Sequence, residues 1–494
     1  MTKMVDHPAF TIQYLPNELL LHIFSFHRLL SGTNNCPPSV AWKWHTLAHV
    51  CQRWRDLIFG SLRHFEARLV IPRKSPKTPL DSWPALPLSV WYDSEDYMSS
   101  EQMADVVAAF KHSERIREVH LPTTMGYSFW KSICSKSFLE LEHLAISGSL
   151  PTSLPHEFLG GSAPGPCRLR SILLNYLHLP ALPQLLFCNW DLVSLHLGQC
   201  TLTGNGFISP EVLSTALSAA TQLEYLYIDC ERVRNGPLLQ LTSVNPSSPQ
   251  NLVVLPALTY FRFGLFIEYL ENFVSRIHAP YLMNLIVHSD HHALDVPQLS
   301  QFISRTEQLS SLPFRTSIFV DVGAFSIAHH FRRLSSPQEV SHVYFKGVRM
   351  WGWQVSRVAH ICTQLSLLAS SVKQLKLSAL HLPSDLQQRT DPTPWLELLT
   401  PYNNVEEIEF CGTGEACTVI AWLLRQSTRE TAQELLPALR VLRIRGFRSR
   451  SIRVVTMSFA VARRRIGRPV IVRRLKRTSQ DPDWDINDTW EDKT

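Results

Sequence analysis

The chain has 494 residues, 45% of them apolar and 18% charged, which is material for roughly three domain equivalents or one long repeat array and excludes global disorder. Its ten Cys are scattered without a short-range framework, a pattern that fits buried thiols in a reducing compartment better than a disulfide scaffold. The net charge of +6 conceals fourteen Arg or Lys and no acid between Arg440 and Arg477, then six acids and one Lys in residues 478–494, leaving −3 on the first 439 residues; no large region has the uniform basicity of a nucleic-acid-binding protein, so direct nucleic-acid binding is not expected.

The first ten residues contain Lys3, Asp6, His7 and Pro8, and no apolar core of a signal peptide follows. No run of about 18 apolar residues occurs either. The expectation is a soluble chain of the cytoplasm, the nucleus or both, with no membrane partner. Between Leu15 and Phe24, Pro16 is tolerated in a first helical turn, and Leu19, Leu20, Ile23 and Phe24 fall on one side of the helix it opens. The turn formers of residues 31–39, with Pro37 and Pro38, interrupt it. Beyond them Leu47, Val50, Cys51, Trp54, Leu57 and Ile58 recur at offsets of three and four, which predicts a single second amphipathic helix with Arg53 and Arg55 on its polar side.

Two or three short helices in about 45 residues bury little surface alone, so both stripes need each other and a partner or the rest of the chain. The combination of Leu15-Pro16, Glu18-Leu19 and Ile23-Phe24 with Val50-Cys51, Trp54-Arg55 and Ile58 closely resembles the F-box. The resemblance implies a helical module that docks onto the small adaptor subunit of cullin-RING ubiquitin ligases while the rest of the chain binds a target protein. Leu15, Pro16, Leu19, Ile23 and Phe24 would form or support the adaptor face, with Val50, Cys51 and Trp54 packed behind and beside it. The stretch 31–39 departs from the family pattern as an insertion near the docking surface. A second reading keeps the helices as a terminal cap of a repeat scaffold without adaptor binding.

Five Pro between Pro72 and Pro87 predict an extended connector. From Ile116 a pattern of apolar, two residues, apolar, one residue, apolar recurs: Ile116/Val119/Leu121, Leu141/Leu144/Ile146, Leu169/Ile172/Leu174, Leu192/Leu195/Leu197, Leu223/Leu226/Ile228, Leu258/Phe261/Phe263 and Leu282/Leu285/Val287. It returns at Val340/Val343/Phe345, Val372/Leu375/Leu377, Val405/Ile408/Phe410 and Leu439/Leu442/Ile444. The spacing, more than the count, predicts short strands, and apolar-periodic segments such as 103–110, 211–219, 269–277, 355–368 and 416–424 predict a helix between several of them. These units resemble leucine-rich repeats, with an interval after Leu282 that requires a cryptic unit at Leu309/Leu312/Phe314 or an inserted loop. The fold class expected is α/β: an F-box-like helical module over 1–65, a connector over 66–100, an irregular leucine-rich-repeat-like solenoid over 101–450 and a basic segment with an acidic finish over 451–494.

No nucleophile turn, phosphate loop, dinucleotide glycine pattern or HExxH helix occurs, so no catalytic residue is nominated and the chain is expected not to be an enzyme. His45 and His49 lack a third ligand and an intervening acid, and no Cys-x-x-Cys is present; no metal or cofactor is expected. The cluster Arg463, Arg464, Arg465, Arg468, Arg473, Arg474, Lys476 and Arg477 is either a nuclear-import signal or a solvated end of the array. These readings assign the chain as a non-catalytic substrate receptor of an SCF-type ligase whose target is unknown.

Overall fold

The computed structural model describes residues 12–31, 44–61, 67–71, 86–92, 98–133, 136–147, 152–155, 168–178, 182–187, 191–198, 208–229, 252–264, 267–288, 297–306, 316–322, 325–329, 342–346, 363, 372–379, 393–412, 435–445, 450–475 and 489–491. The chain is mixed helix and strand and divides into two compact units, Met1–Asn189 and Trp190–Thr494.

The first unit opens with three helices: α1 (Asn17–Ser31), α2 (Trp44–Ala48) and α3 (Gln52–Gly60). The single second helix expected from the 47–58 periodicity is therefore two. His49 and Val50 donate to the carbonyls of Thr46 and Leu47, three residues back, which tightens and closes α2. Cys51 then turns extended at φ −157° and starts α3. A spacing of three and four matches both halves, so periodicity alone does not register the corner between them.

The stretch expected as a connector supplies two strands, β1 (Ala67–Ile71) and β2 (Leu88–Tyr92). They pair in parallel with each other, and β2 pairs with β3 (Ile116–Pro122). Pro87 directly precedes β2, outside the ladder, and the other four prolines of this stretch lie outside the described residues. The sheet continues in chain order through β4 (His143–Ser147), past the two-residue β5 (Thr152–Ser153), to β6 (Ser171–Asn175), all parallel; β5 pairs separately with β7 (Leu177–His178). Between β2 and β3 runs α4 (Ser100–Ala109), begun by a capping box in which the Gln102 N–H donates to Ser99 Oγ and the Ser99 N–H to Gln102 Oε1. After β3 comes α5 (Tyr127–Ile133), and after β7 comes α6 (Leu182–Phe187).

The second unit repeats the scheme. Parallel neighbours follow in chain order as β8 (Ser194–Gly198), β9 (Tyr225–Asp229), β11 (Tyr260–Gly264) and β13 (Asn284–His288), with the short β10 (Val253–Val254) and β12 (Ile277–His278) pairing outside that sheet. Helices α7 (Pro210–Leu217), α8 (Ile267–Val274) and α9 (Pro297–Arg305) alternate with them. Ser209 caps α7, accepting from the Val212 N–H, with Pro210 in the first turn. The interval after Leu282 holds β14 (Thr316–Val322) and β15 (Phe325–His329), an antiparallel hairpin; β15 also runs antiparallel to β16 (His342–Lys346), which pairs in parallel with β13. The cryptic unit at Leu309/Leu312/Phe314 lies outside the described residues, as do the segments 355–362 and 416–424. From β14 the parallel order resumes with β17 (Val372–Ala379), β18 (Glu407–Gly412), β19 (Val441–Arg445) and β20 (Ile471–Leu475), accompanied by α10 (Thr393–Leu399) and α11 (Arg450–Arg465). The acidic finish returns as β21 (Thr489–Glu491), antiparallel to β20 with Arg473 opposite Glu491.

All eleven triplets end on strands, and the register stacks them. Val119 lies beside Leu144 and Leu144 beside Ile172; Leu195, Leu226, Phe261 and Leu285 form a row, and Leu375, Ile408 and Leu442 form another. Every one of these side chains is at most 2% exposed. Burial at this level is worth about 1.5–3 kcal/mol per side chain, so the rows form the core. A backbone motif accompanies them. The carbonyls of Glu142, Val193, Glu224, Thr259 and Glu406 each accept the N–H groups of two successive residues at the start of the next strand.

Candidate functional site

Helix α1 begins where the Leu20 N–H donates to the Pro16 carbonyl, with Glu18 in the first turn complementing the dipole. At about 100° per residue, Leu20 and Phe24 project from one side and Leu19, Ile23 and Phe26 from a second side about 120° away. The two sides have opposite fates. Leu20 and Phe24 are 0% and 1% exposed and form a small core with Ala48 of α2 and Ile58 of α3, flanked by Leu15, Leu21, Leu47, Trp54 and Leu57. Leu19, Ile23 and Phe26 are 51%, 46% and 56% exposed. A helix that keeps an apolar stripe in the core and another in solvent within one small module has a surface in excess of what its own fold needs.

The structure thus brings Leu15, Phe24 and Trp54 together and leaves Pro16, Leu19, Ile23, Val50 and Cys51 outside. Phe24 meets Trp54 edge to face at 4.7 Å. Val50 and Cys51 occupy the corner between α2 and α3, with Val50 59% exposed and the Cys51 thiol free; being at a corner rather than in a helix, they face out instead of packing behind α1.

Two residues that periodicity assigns to a passive polar side hold the module together. Arg53 of α3 donates through Nη2 to the Leu15 carbonyl at 2.6 Å and through Nη2 and Nε to Asn17 Oδ1 at 2.7 and 3.2 Å. This clamp fixes the entry of α1, including the exposed Pro16. Arg55 Nε donates to the Ala48 carbonyl at 3.0 Å, satisfying an end of α2. The only sequence signal for either role is an Arg at a fixed distance from a helix terminus, which many surface Arg share.

The basic segment is not one exposed run. Arg463 is 1% exposed and its Nη2 lies 3.2–3.3 Å from the carbonyls of Leu436, Pro437 and Leu439, so it belongs to the core beneath α11. Arg464, Arg465 and Arg468 are exposed, Arg473 is half-buried and Arg474 lies on β20. Lys476 and Arg477 lie outside the described residues. Among the described residues no three His, Cys, Asp or Glu gather in a way that holds a metal, and no helix is long and apolar enough to cross a membrane.

Residues 12–64 are similar to the protein family described as F-box-like. The match spans α1, α2 and α3 and stops before β1. No curated protein matches the chain.

Proposed function

We propose that this chain is the adaptor-binding and substrate-receptor subunit of an SCF-type cullin-RING ubiquitin ligase. F-box domains bind Skp1-type adaptors, and the observation that carries the reading is the exposed stripe Leu19, Ile23 and Phe26 on the very helix whose other stripe builds the module core. The remaining chain then acts as the receptor, a degenerate leucine-rich-repeat-like solenoid. Support for that part is the rung-to-rung stacking of the triplets and the shared carbonyl that opens five of the strands. On this reading the chain has no catalytic residue. It contributes proximity, holding a target lysine near a ubiquitin-loaded enzyme and raising its effective concentration. Exposed Arg464, Arg465 and Arg468 support an import function for that surface and hence a nuclear as well as a cytoplasmic location.

The test is a titration of the full chain with a purified Skp1-type adaptor. Wild type binds, and Ile23→Asp or Leu19→Asp weakens binding by about a hundredfold or more with no change in unfolding midpoint, because each places a charge in a desolvated contact while leaving the core untouched. Absence of binding by wild type leaves a repeat scaffold with a helical cap.

A further inference from the structure

The face of the second unit's sheet opposite the buried rows carries an organised set of side chains. Along one rung, His196 of β8 lies beside Tyr227 of β9, and Tyr227 beside Arg262 of β11. The His196 and Tyr227 rings stack with centroids 3.8 Å apart and 16° between planes, and the Arg262 guanidinium carbon lies 4.8 Å from the Tyr227 centroid. On the preceding rung Tyr225 is 49% exposed, with its ring 6.1 Å from that of Tyr260.

The charges on this shelf are unevenly satisfied. The Tyr227 hydroxyl donates to Asp229 Oδ2 at 3.0 Å. That carboxylate leans over Gly264, where a Cβ would come within 2.6 Å of Oδ1, so the absence of a side chain there makes its position possible. Burial, and then the Arg262 charge, push the His196 imidazole down to about 4, so it is a neutral ring at pH 7. Arg262 has a cation–π contact on one face and a buried Nε without a hydrogen-bond partner. Its fork is flat, pre-positioned and unmatched by any ion pair among the described residues.

We infer that this shelf of His196, Tyr227 and Arg262, flanked by Tyr225 and Tyr260, is the docking site for an extended acidic peptide segment of the target protein, with a carboxylate of the segment on Arg262 and its neighbouring residues against the tyrosines. The inference rests on the receptor reading and specifies its partner. Charge complementarity selects the occupant. A guanidinium held over an aromatic ring by a cation–π contact still has N–H donors to offer a carboxylate, and that contact restrains it before a partner arrives. Tyr and Arg are also the residue types on which binding energy concentrates when a partner desolvates them. A basic segment would meet Arg262 with like charge, and a purely apolar one would leave its N–H groups buried and unpaired.

The experiment uses the full chain and a fluorescein-labelled random copolymer of Glu and Tyr, followed by anisotropy, with a Lys–Tyr copolymer as the opposite-charge probe. The Glu–Tyr polymer binds saturably and more weakly as salt rises, and the Lys–Tyr polymer does not bind. Arg262→Gln weakens the Glu–Tyr polymer by about tenfold or more and Tyr225→Ser by about threefold or more, while both variants retain adaptor affinity. Tyr225 is half exposed at the shelf edge, so its replacement keeps the result readable if Arg262→Gln perturbs the fold. Equal binding of wild type and both variants overturns the inference, as does no binding by wild type, equal binding of the Lys–Tyr polymer, or loss confined to an Arg464→Ser/Arg465→Ser/Arg468→Ser variant. Failure of adaptor binding with the polymer result intact sinks the ligase assignment and leaves the acidic-peptide site standing; the reverse outcome removes only the site.

Discussion

The Phe24 and Trp54 rings meet at 4.7 Å with 60° between their planes, joining the first and third helices of the N-terminal module. Phe24 is sealed and Trp54 is half-buried, so the pair supports the exposed stripe without belonging to it. Trp54→Ala removes the edge-to-face contact and opens one wall of a core with four fully buried residues. The expected cost is about 2–3 kcal/mol, read as a lower urea midpoint for the module. Adaptor affinity falls through this loss of folded module, whereas Ile23→Asp lowers affinity at an unchanged midpoint; comparing the two variants separates support from contact.

Arg463 is a cation held in the core, 1% exposed. Its charge is compensated by carbonyl dipoles of the 436–439 turn. Arg463→Met keeps the stem but leaves those carbonyls without the donor, for an expected loss of about 2–4 kcal/mol. Arg464→Ser and Arg465→Ser, both exposed, stay within about 0.5 kcal/mol. Thermal unfolding of the three variants side by side makes the measurement.

Leu226 is fully buried in the row between Leu195 and Phe261. Leu226→Ala leaves a cavity flanked by two neighbouring strands, and the expected loss is about 3–4 kcal/mol. Tyr225, one residue earlier, points to the other face and is 49% exposed; Tyr225→Ala costs under about 1 kcal/mol. Urea unfolding of both variants checks the alternation directly.

The His196 imidazole, pushed down by burial and by Arg262 to about 4 from an ordinary 6.5, gives the second unit an acid-side weakness. An unfolded chain takes up a proton near pH 6.5 while the native His196 does not until about 4, so stability falls as pH drops through that window and is indifferent to this group above it. Between pH 7 and 5, His196→Gln flattens the slope of the unfolding midpoint. Glu118 lies outside this window: burial raises its carboxyl, but His120 beside it, with Trp91 and His143, more than reverses that and holds it at about 2, so its contribution is present above pH 4.5 and lost only below it.

The repeated triplets are the most legible feature of the chain because the apolar spacing that marks a strand is also the spacing that buries it; Leu195 and Leu197, or Phe261 and Phe263, reach the core by simple alternation. Apolar periodicity locates the helices preceding β3 and β9 within 103–110 and 211–219, but their starts are set earlier by the caps Ser99 and Ser209, which that periodicity does not mark. Periodicity is blind to the corner at Val50 and Cys51, where two helix halves share one phase. Proline content is a poor guide to residues 66–100, where the strands lie on either side of the prolines rather than through them. The Arg262 shelf carries no local signal at all: its members lie 31 and 35 residues apart along the chain and meet only through strand register.

Composition and spacing alone establish that apolar rows alternate with polar positions, that helices separate many of them, and that amphipathic helices stand at the front, because those properties depend on neighbours a few residues away. Which stripe of α1 is sealed and which is open, that Arg463 is buried while Arg464 is not, and that Arg262 lies over Tyr227 all depend on segments far apart in the chain. Burial and charge pairing are set by what packs across space, and no local pattern encodes the identity of that neighbour.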